Sequence, residues 1–194
     1  MGDKILVFYG SYRQDRQGIK LADYLVSAFA ARGASPELID AKARNFPMLD
    51  RMYKEHPPGE APAAMEALAR KLRAANAFVF GEYNSGVQPG LKNLTDHFLK
   101  EWFWRPAAIA SYSAGRFAGA RAGTAWHGIL SEMAKVVVSS TLAVGGIGHA
   151  FDETGAPAGE GGTALARAFP RFAEDLAWWT QAARAQRSRA QPPY

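Results

Sequence analysis

Lys4-Ile-Leu-Val-Phe-Tyr-Gly10, Ser11-Tyr-Arg-Gln-Asp-Arg-Gln-Gly18 and Ile19-Lys-Leu-Ala22 read in succession as a buried strand, a polar loop and the first turn of a helix. Ile5, Leu6, Val7 and Phe8 form the continuous apolar run that a strand covered on both faces requires, and Gly10 ends it at a sharp turn. Beyond the loop, Ala22, Leu25, Val26 and Phe29 recur at helical spacing until Gly33 supplies a stop. A loop between a parallel strand and a helix N-terminus presents unpaired N–H groups and about half a positive charge, which suits a phosphate. Ser11 adds a hydroxyl, and Arg13 and Arg16 add cationic forks. The same residues serve equally well as a helix cap and a solvated face, so this stretch alone leaves the ligand open.

Working outward, Glu37, Leu38 and Ile39 make a short second strand, followed by a long connection over residues 41–61 of the kind that is functional or mobile. Pro62 opens a helix with Met65, Leu68 and Leu72 on one face, stopping at Asn76. Ala77 to Phe80 is the third strand, Gly81 to Gly90 a glycine-rich loop, and Leu91, Leu94 and Phe98 mark the next helix. Pro106 to Ala110 is the fourth strand, and Ala122, Trp126, Ile129, Leu130 and Met133 repeat at helical spacing after it. Val136 to Val138 is the expected fifth strand. A final helix carries Leu165, Phe169, Phe172, Leu176 and Trp179, with Pro170 predicting a kink or a delayed start, and Gly155 to Gly162 reads as a flexible hinge.

Short strands alternating with helices imply right-handed crossovers and a parallel α/β sheet with helices on both faces. Five strands suggest the doubly wound order 2-1-3-4-5, in which the chain reverses between the first and third strands. The loops after those strands then open a crevice at the carboxyl edge of the sheet. The 194 residues are read as one domain over 1–187 with a frayed tail at 188–194.

Composition narrows the function. There is no apolar run long enough for a membrane span, and the chain enters its first strand almost at once, so no membrane association and a cytoplasmic location are expected. The absence of cysteine excludes disulfides and thiolate nucleophiles. A net charge of +5 with arginines spread along the chain, and no basic stripe interleaved with aromatics, fits an anionic cofactor better than nucleic acid. His56, His97, His127 and His149 are scattered, so no metal site is expected.

Gly10-Ser11-Tyr12-Arg13 leading to Leu21-Ala22, Glu82-Tyr83-Asn84-Ser85-Gly86 through Pro89-Gly90-Leu91-Lys92-Asn93 to Asp96, and Ser113-Ala114-Gly115 followed by Gly119-Ala120-Arg121-Ala122 form three motifs. Together they resemble the NADPH-dependent FMN reductase family of flavodoxin-like proteins, which includes FMN-containing quinone, azo-dye and chromate reductases. The resemblance covers about residues 4–150, and four positions depart from its pattern. Arg16 and Gly18 stand where a serine and an asparagine are frequent, Gly81 replaces the proline before Glu82, and Ala118 takes one place of a glycine pair.

What the resemblance implies is a flavodoxin-like fold with FMN as cofactor and NADPH or NADH as co-substrate. Ser11, Arg13, Arg16, Gln17 and Gly18 would surround the phosphate. Glu82, Tyr83, Asn84, Ser85 and Gly86 on one side, and Ser113, Ala114 and Gly115 on the other, would border the isoalloxazine. Hydride passes through flavin N5, so no catalytic acid or base is expected. The acceptor would be a quinone, an azo compound, a metal oxyanion or a free flavin. Family members are commonly homodimers or homotetramers, and the dense aromatics Trp102, Phe103 and Trp104 favour burial by a partner subunit. Two other readings stay open, a flavodoxin-like electron carrier and a non-catalytic flavin-binding interaction protein. Carriers are usually acidic around the flavin, against the +5 here. Glu82, Lys92, Asp96 and Arg121 have the plainer reading of surface acids and their ion-pair partners.

Overall fold

Side chains alternate across a strand, so β1 (Lys4–Tyr9) feeds two separate cores. Ile5, Val7 and Tyr9 pack with Leu21, Leu25 and Phe29 of α1 (Ile19–Ala31) and with Leu165, Phe169, Phe172 and Leu176 of α6 (Gly159–Arg189). Leu6 and Phe8 face the other way. They join α3 (Ala63–Ala74), α4 (Pro89–Asp96) and α5 (Ala120–Glu132) through Met65, Leu68, Leu91, Leu94, Trp126 and Leu130. The computed structural model describes residues 2–194.

The remaining strands are β2 (Ser35–Asp40), β3 (Ala77–Tyr83), β4 (Ala107–Tyr112) and β5 (Leu142–Val144), with the short helix α2 (Ala41–Arg44) directly after β2, and the sheet order is β2-β1-β3-β4-β5 with every pair parallel. The doubly wound arrangement expected from the alternation of elements is therefore present, with its reversal between β1 and β3. None of the described helices is long and apolar enough to cross a membrane.

Four local expectations are revised. The fifth strand does begin to pair at the valines, since Val137 bridges Ala107. The ladder then breaks over residues 139–141, where the Ser140 N–H turns away to donate to Asp175 of α6 at 2.8 Å, and it resumes only at Leu142. The glycine-rich stretch 155–162 is no hinge. Phe151 bridges Pro157, the Asp152 carboxylate accepts from the N–H groups of Thr154 and Ala156, and Gly159 to Gly162 form the first turn of α6. Its glycines serve close packing: a Cβ on Gly161 would lie 2.3 Å from the Gly145 carbonyl oxygen, and one on Gly162 2.3 Å from that of Ala150.

Pro170 neither delays nor interrupts α6, because Pro170 and Ala166 both face solvent, where the carbonyl that the proline cannot pair is left open to hydration. Trp102, expected against a partner subunit, is fully buried within the chain. Its ring packs on Phe8 and Phe78, both at 5.2 Å, and its Nε1 donates to the Thr95 carbonyl at 3.1 Å. Beyond α6 the Tyr194 ring lies 4.9 Å from that of Trp104.

Two glycine substitutions separate packing from propensity. Gly162→Ala forces a Cβ into backbone and should destabilise the protein by about 1–3 kcal/mol. Gly128→Ala in α5 meets nothing within 4 Å and should stabilise it by roughly 0.5–1 kcal/mol. Urea unfolding of both variants beside the parent checks the pair, and equal effects would show that close contact is not what the glycines of α6 provide.

Candidate functional site

The carboxyl ends of β3, β4 and β5 lie level in the sheet, with Tyr83 opposite Tyr112 and Tyr112 opposite Val144, and β1 ends two residues short of them with Tyr9 opposite Gly81. Their loops are tied across that edge. The Asn84 N–H donates to Tyr112 O at 3.2 Å, that of Ser113 to Val144 O at 3.1 Å and that of Ile147 to Ser113 O at 3.1 Å. Asn84 takes a left-handed backbone with φ of 64°, a conformation asparagine tolerates better than most residues.

Between the loops lies a cleft in compartments. The first, about 200 Å³, is lined by Tyr9, Ser11, Arg13, Asp15, Gln17, Gly18, Tyr83, Tyr112, Ala114, Ile147 and Gly148, with Asp15 held by Gln17. It shares Ser11, Arg13 and Tyr83 with a second of about 450 Å³, which adds Tyr12, Phe46, Met48, Gln88, Pro89 and Asn93. A smaller space of about 120 Å³ holds Asn84, Ser85 and Ser113 with Phe117 and Arg121.

The first loop divides in its roles. Ser11 is buried and its Oγ accepts from the Arg13 N–H at 3.4 Å, while no side chain caps α1 at Gly18. Arg13 is exposed and makes no salt bridge among the described residues. Gln17 Nε2 donates to Asp15 at 2.6 Å. Arg16 leaves the cleft: it pairs with Asp40 at 2.7 Å and lies 4.8 Å over the Tyr9 ring, so it braces β1 against β2. Gly18 is required by its neighbour, since a Cβ there would come within 2.1 Å of the Tyr112 ring.

Glu82 is also absent from the cleft lining. It is fully buried, and its carboxylate accepts from the Gln88 backbone N–H at 2.9 Å, pinning the 84–88 loop from beneath. Burial pushes its carboxyl up to about 7 against the opposing effect of the donors around it. Gly86 and Gly115 are exposed and line none of the three spaces, though the Gly115 carbonyl accepts from Ser113 Oγ at 2.9 Å. Lys92 and Asp96 pair with each other along α4.

Several cleft residues escaped the sequence reading. Tyr112 belongs to β4 and not to the following loop, and only the sheet order, which sets β4 one strand beyond β1 across β3, brings it to Gly18. Ile147 and Gly148 come from the glycine run after β5, whose position behind a strand was the available signal. Phe46 and Met48 arrive from the 41–61 connection. Asn93 carries that connection over the cleft by accepting from the Leu49 N–H at 2.9 Å and donating to Pro47 O at 2.8 Å, and Tyr12 donates to Ala41 O at 2.9 Å.

The residues fit a flavin mononucleotide. Arg13 offers a cation with no salt bridge, the loop offers amides at the start of α1, and the buried Tyr9 hydroxyl on the cleft wall has no hydrogen-bond partner among the described residues. Burial first, and then the neighbouring Tyr9, hold the Tyr112 phenol well above its ordinary range, so it is a neutral wall.

Comparison with known proteins agrees. The family described as NADPH-dependent FMN reductase matches residues 4–149. The chain is similar to ntnL, an NAD(P)H-dependent FMN reductase of Nectria sp, at 28% identity over 152 residues, 72% of this chain and 71% of the other. Its fold is similar to FerB, the flavoenzyme NAD(P)H:(acceptor) oxidoreductase from Paracoccus denitrificans. That TM-score is 0.71 at 20% identity, covering 93% of this chain and 98% of FerB. A flavodoxin from Pseudomonas aeruginosa shares the fold with a TM-score of 0.56 at 14% identity, covering 90% of this chain and 99% of its own.

The raised Glu82 carboxyl has a consequence for stability. Between about 4.5 and 7 the folded state holds a proton that the unfolded state releases, so stability falls as pH rises through this window and the loss is complete above it. Glu82→Gln should remove that slope, with a difference of the order of 3 kcal/mol across the window. Urea unfolding at pH 5, 6, 7 and 8 checks it, and parallel curves for parent and variant would show that Glu82 stays ionised.

Proposed function

The chain belongs to the NADPH-dependent FMN reductase family, and on that premise we propose that it passes reducing equivalents from NADPH or NADH through FMN to a flat, largely apolar acceptor of the quinone class. When bound, FMN would supply the hydride chemistry, and no protein acid or base is needed at the donor carbon. The protein's part is to bind, to orient and to choose. Arg13 balances the phosphate charge beside Ser11, Gln17 and the amides leading into α1. Tyr83, with Asn84 to Gly86 and Ser113 to Gly115, borders the ring, and Gly18 allows Tyr112 to close the floor.

The observation that carries the acceptor class is the 450 Å³ compartment adjoining the phosphate loop. Tyr12, Phe46, Met48 and Pro89 give it broad apolar walls, whereas among the described residues Arg13 is its only cation. A metal oxyanion needs a cluster of donors to replace its hydration, and a planar quinone needs mainly apolar area. The exposed Arg13 and the +5 charge support a site for anionic nucleotides over an acidic carrier surface.

The protein incubated with FMN should show the bound oxidised flavin band, bleach on anaerobic addition of NADPH, and recover its colour with 1,4-benzoquinone. A bound flavin that NADPH leaves oxidised would overturn the reductase reading in favour of a carrier. Arg13→Gln should weaken FMN by about tenfold or more, equivalent to about 1.4 kcal/mol, measured by quenching of flavin fluorescence. Met48→Glu should raise the KM for benzoquinone several-fold while leaving FMN affinity unchanged, and an unchanged KM would move the acceptor out of this compartment.

A further inference from the structure

A second cavity, of about 640 Å³, lies at the opposite edge of the sheet, where the last turns of α6 and residues 190–194 pass the start of β4. The six residues of β4 separate it from the cleft by about 20 Å, at roughly 3.3 Å per residue. Its walls carry Trp104, Trp179 and Tyr194, and Trp104 Nε1 donates at 3.0 Å to Tyr194 O, a carboxylate oxygen in this structure. Its basic residues are Arg105, Lys135 and Arg187, with burial and then Arg105 holding the Lys135 amine well below its ordinary range, and among the described residues no aspartate or glutamate lines it.

Carbonyl oxygens alone partner these basic groups. Arg105 donates to Ala75 O at 2.8 Å, Phe103 O at 2.8 Å and Arg73 O at 2.6 Å, which leaves one N–H on each terminal nitrogen. Arg187 donates to Trp104 O at 2.5 Å. Lys135 is buried, with Nζ 2.9 Å from Trp102 O and 3.7 Å from the centre of the Phe78 ring. The nearby acids are engaged elsewhere, Glu101 with Arg73 at 3.1 Å and Asp3 with Arg184. Burial, and then its neighbour Arg187, lowers Arg105 to about 10, and burial followed by Arg184 lowers Arg187. The cluster therefore repels itself in a partly dry setting.

We propose that this cavity is a binding site for a small aromatic carboxylate, its ring held among Trp104, Trp179 and Tyr194 and its carboxylate directed to the free N–H groups of Arg105 and Arg187. A guanidinium matches the planar carboxylate, and the aromatic walls match the ring. A phosphate would leave the apolar walls unused.

Isothermal titration of the chain with 2-naphthoate tests it, with neutral 2-naphthamide as the isosteric control and with FMN present or absent. The expected result is saturable one-to-one binding that FMN does not displace, at least tenfold weaker for the amide. Arg187→Gln and Trp179→Ala, each verified by circular dichroism as folded, should weaken naphthoate at least fivefold. No saturable binding, equal affinity for the amide, displacement by FMN, or indifference to both substitutions would overturn the proposal. So would a dimer that excludes naphthoate and that Trp179→Ala dissociates, since a second copy would then be the occupant.

Discussion

Everything in this molecule rests on the requirement that a parallel sheet be covered on both faces. β1 meets it by alternating Ile5, Val7 and Tyr9 toward α1 and α6 with Leu6 and Phe8 toward α3, α4 and α5. Each fully buried side chain of this size contributes about 1.5–3 kcal/mol relative to exposure, so neither face can be left open. Right-handed crossovers can cover both faces only if the chain winds outward from β1 in both directions, and that reversal leaves the loops after β1 and β3 without a helix between them. The cleft is the geometric residue of satisfying the core. Its chemistry comes from which side chains stand at the ends of those strands.

Much of this was legible because the signals were local. Apolar runs such as Ile5 to Phe8 and helical repeats such as Met65, Leu68 and Leu72 declare their elements within a few residues. The failures share a cause in distance along the chain. Nothing near Ser140 announces that Asp175 takes its N–H and breaks the ladder. Nothing near Gly161 and Gly162 announces the Gly145 and Ala150 carbonyls against them, so a run that serves close contact reads as slack.

The site follows the same rule. Ser11, Arg13, Gln17, Gly18, Tyr83 and Ala114 gather in one compartment because they belong to loops whose strands are neighbours. Arg16 was indistinguishable from Arg13 by residue type, and it is Asp40 at the end of β2 that draws it away. Glu82 looked like a ligand-facing acid because the motif is written as a continuous string, yet a strand points successive side chains to opposite faces. Glu82 turns inward to the Gln88 N–H while Tyr83 faces the cleft. The glycine at 18 and the tyrosine at 112 form a complementary pair, and neither is interpretable without the other.

The two outer strands carry one further consequence. β2 has Pro36 within it, which has no N–H to offer, and β5 is only three residues long after the break at 139–141. Neither margin presents an uninterrupted row of donors and acceptors on which a strand from another molecule could template itself. The chain is thereby guarded against runaway cross-β stacking while its interior strands stay strongly apolar, and any association between copies is left to helix faces and loops.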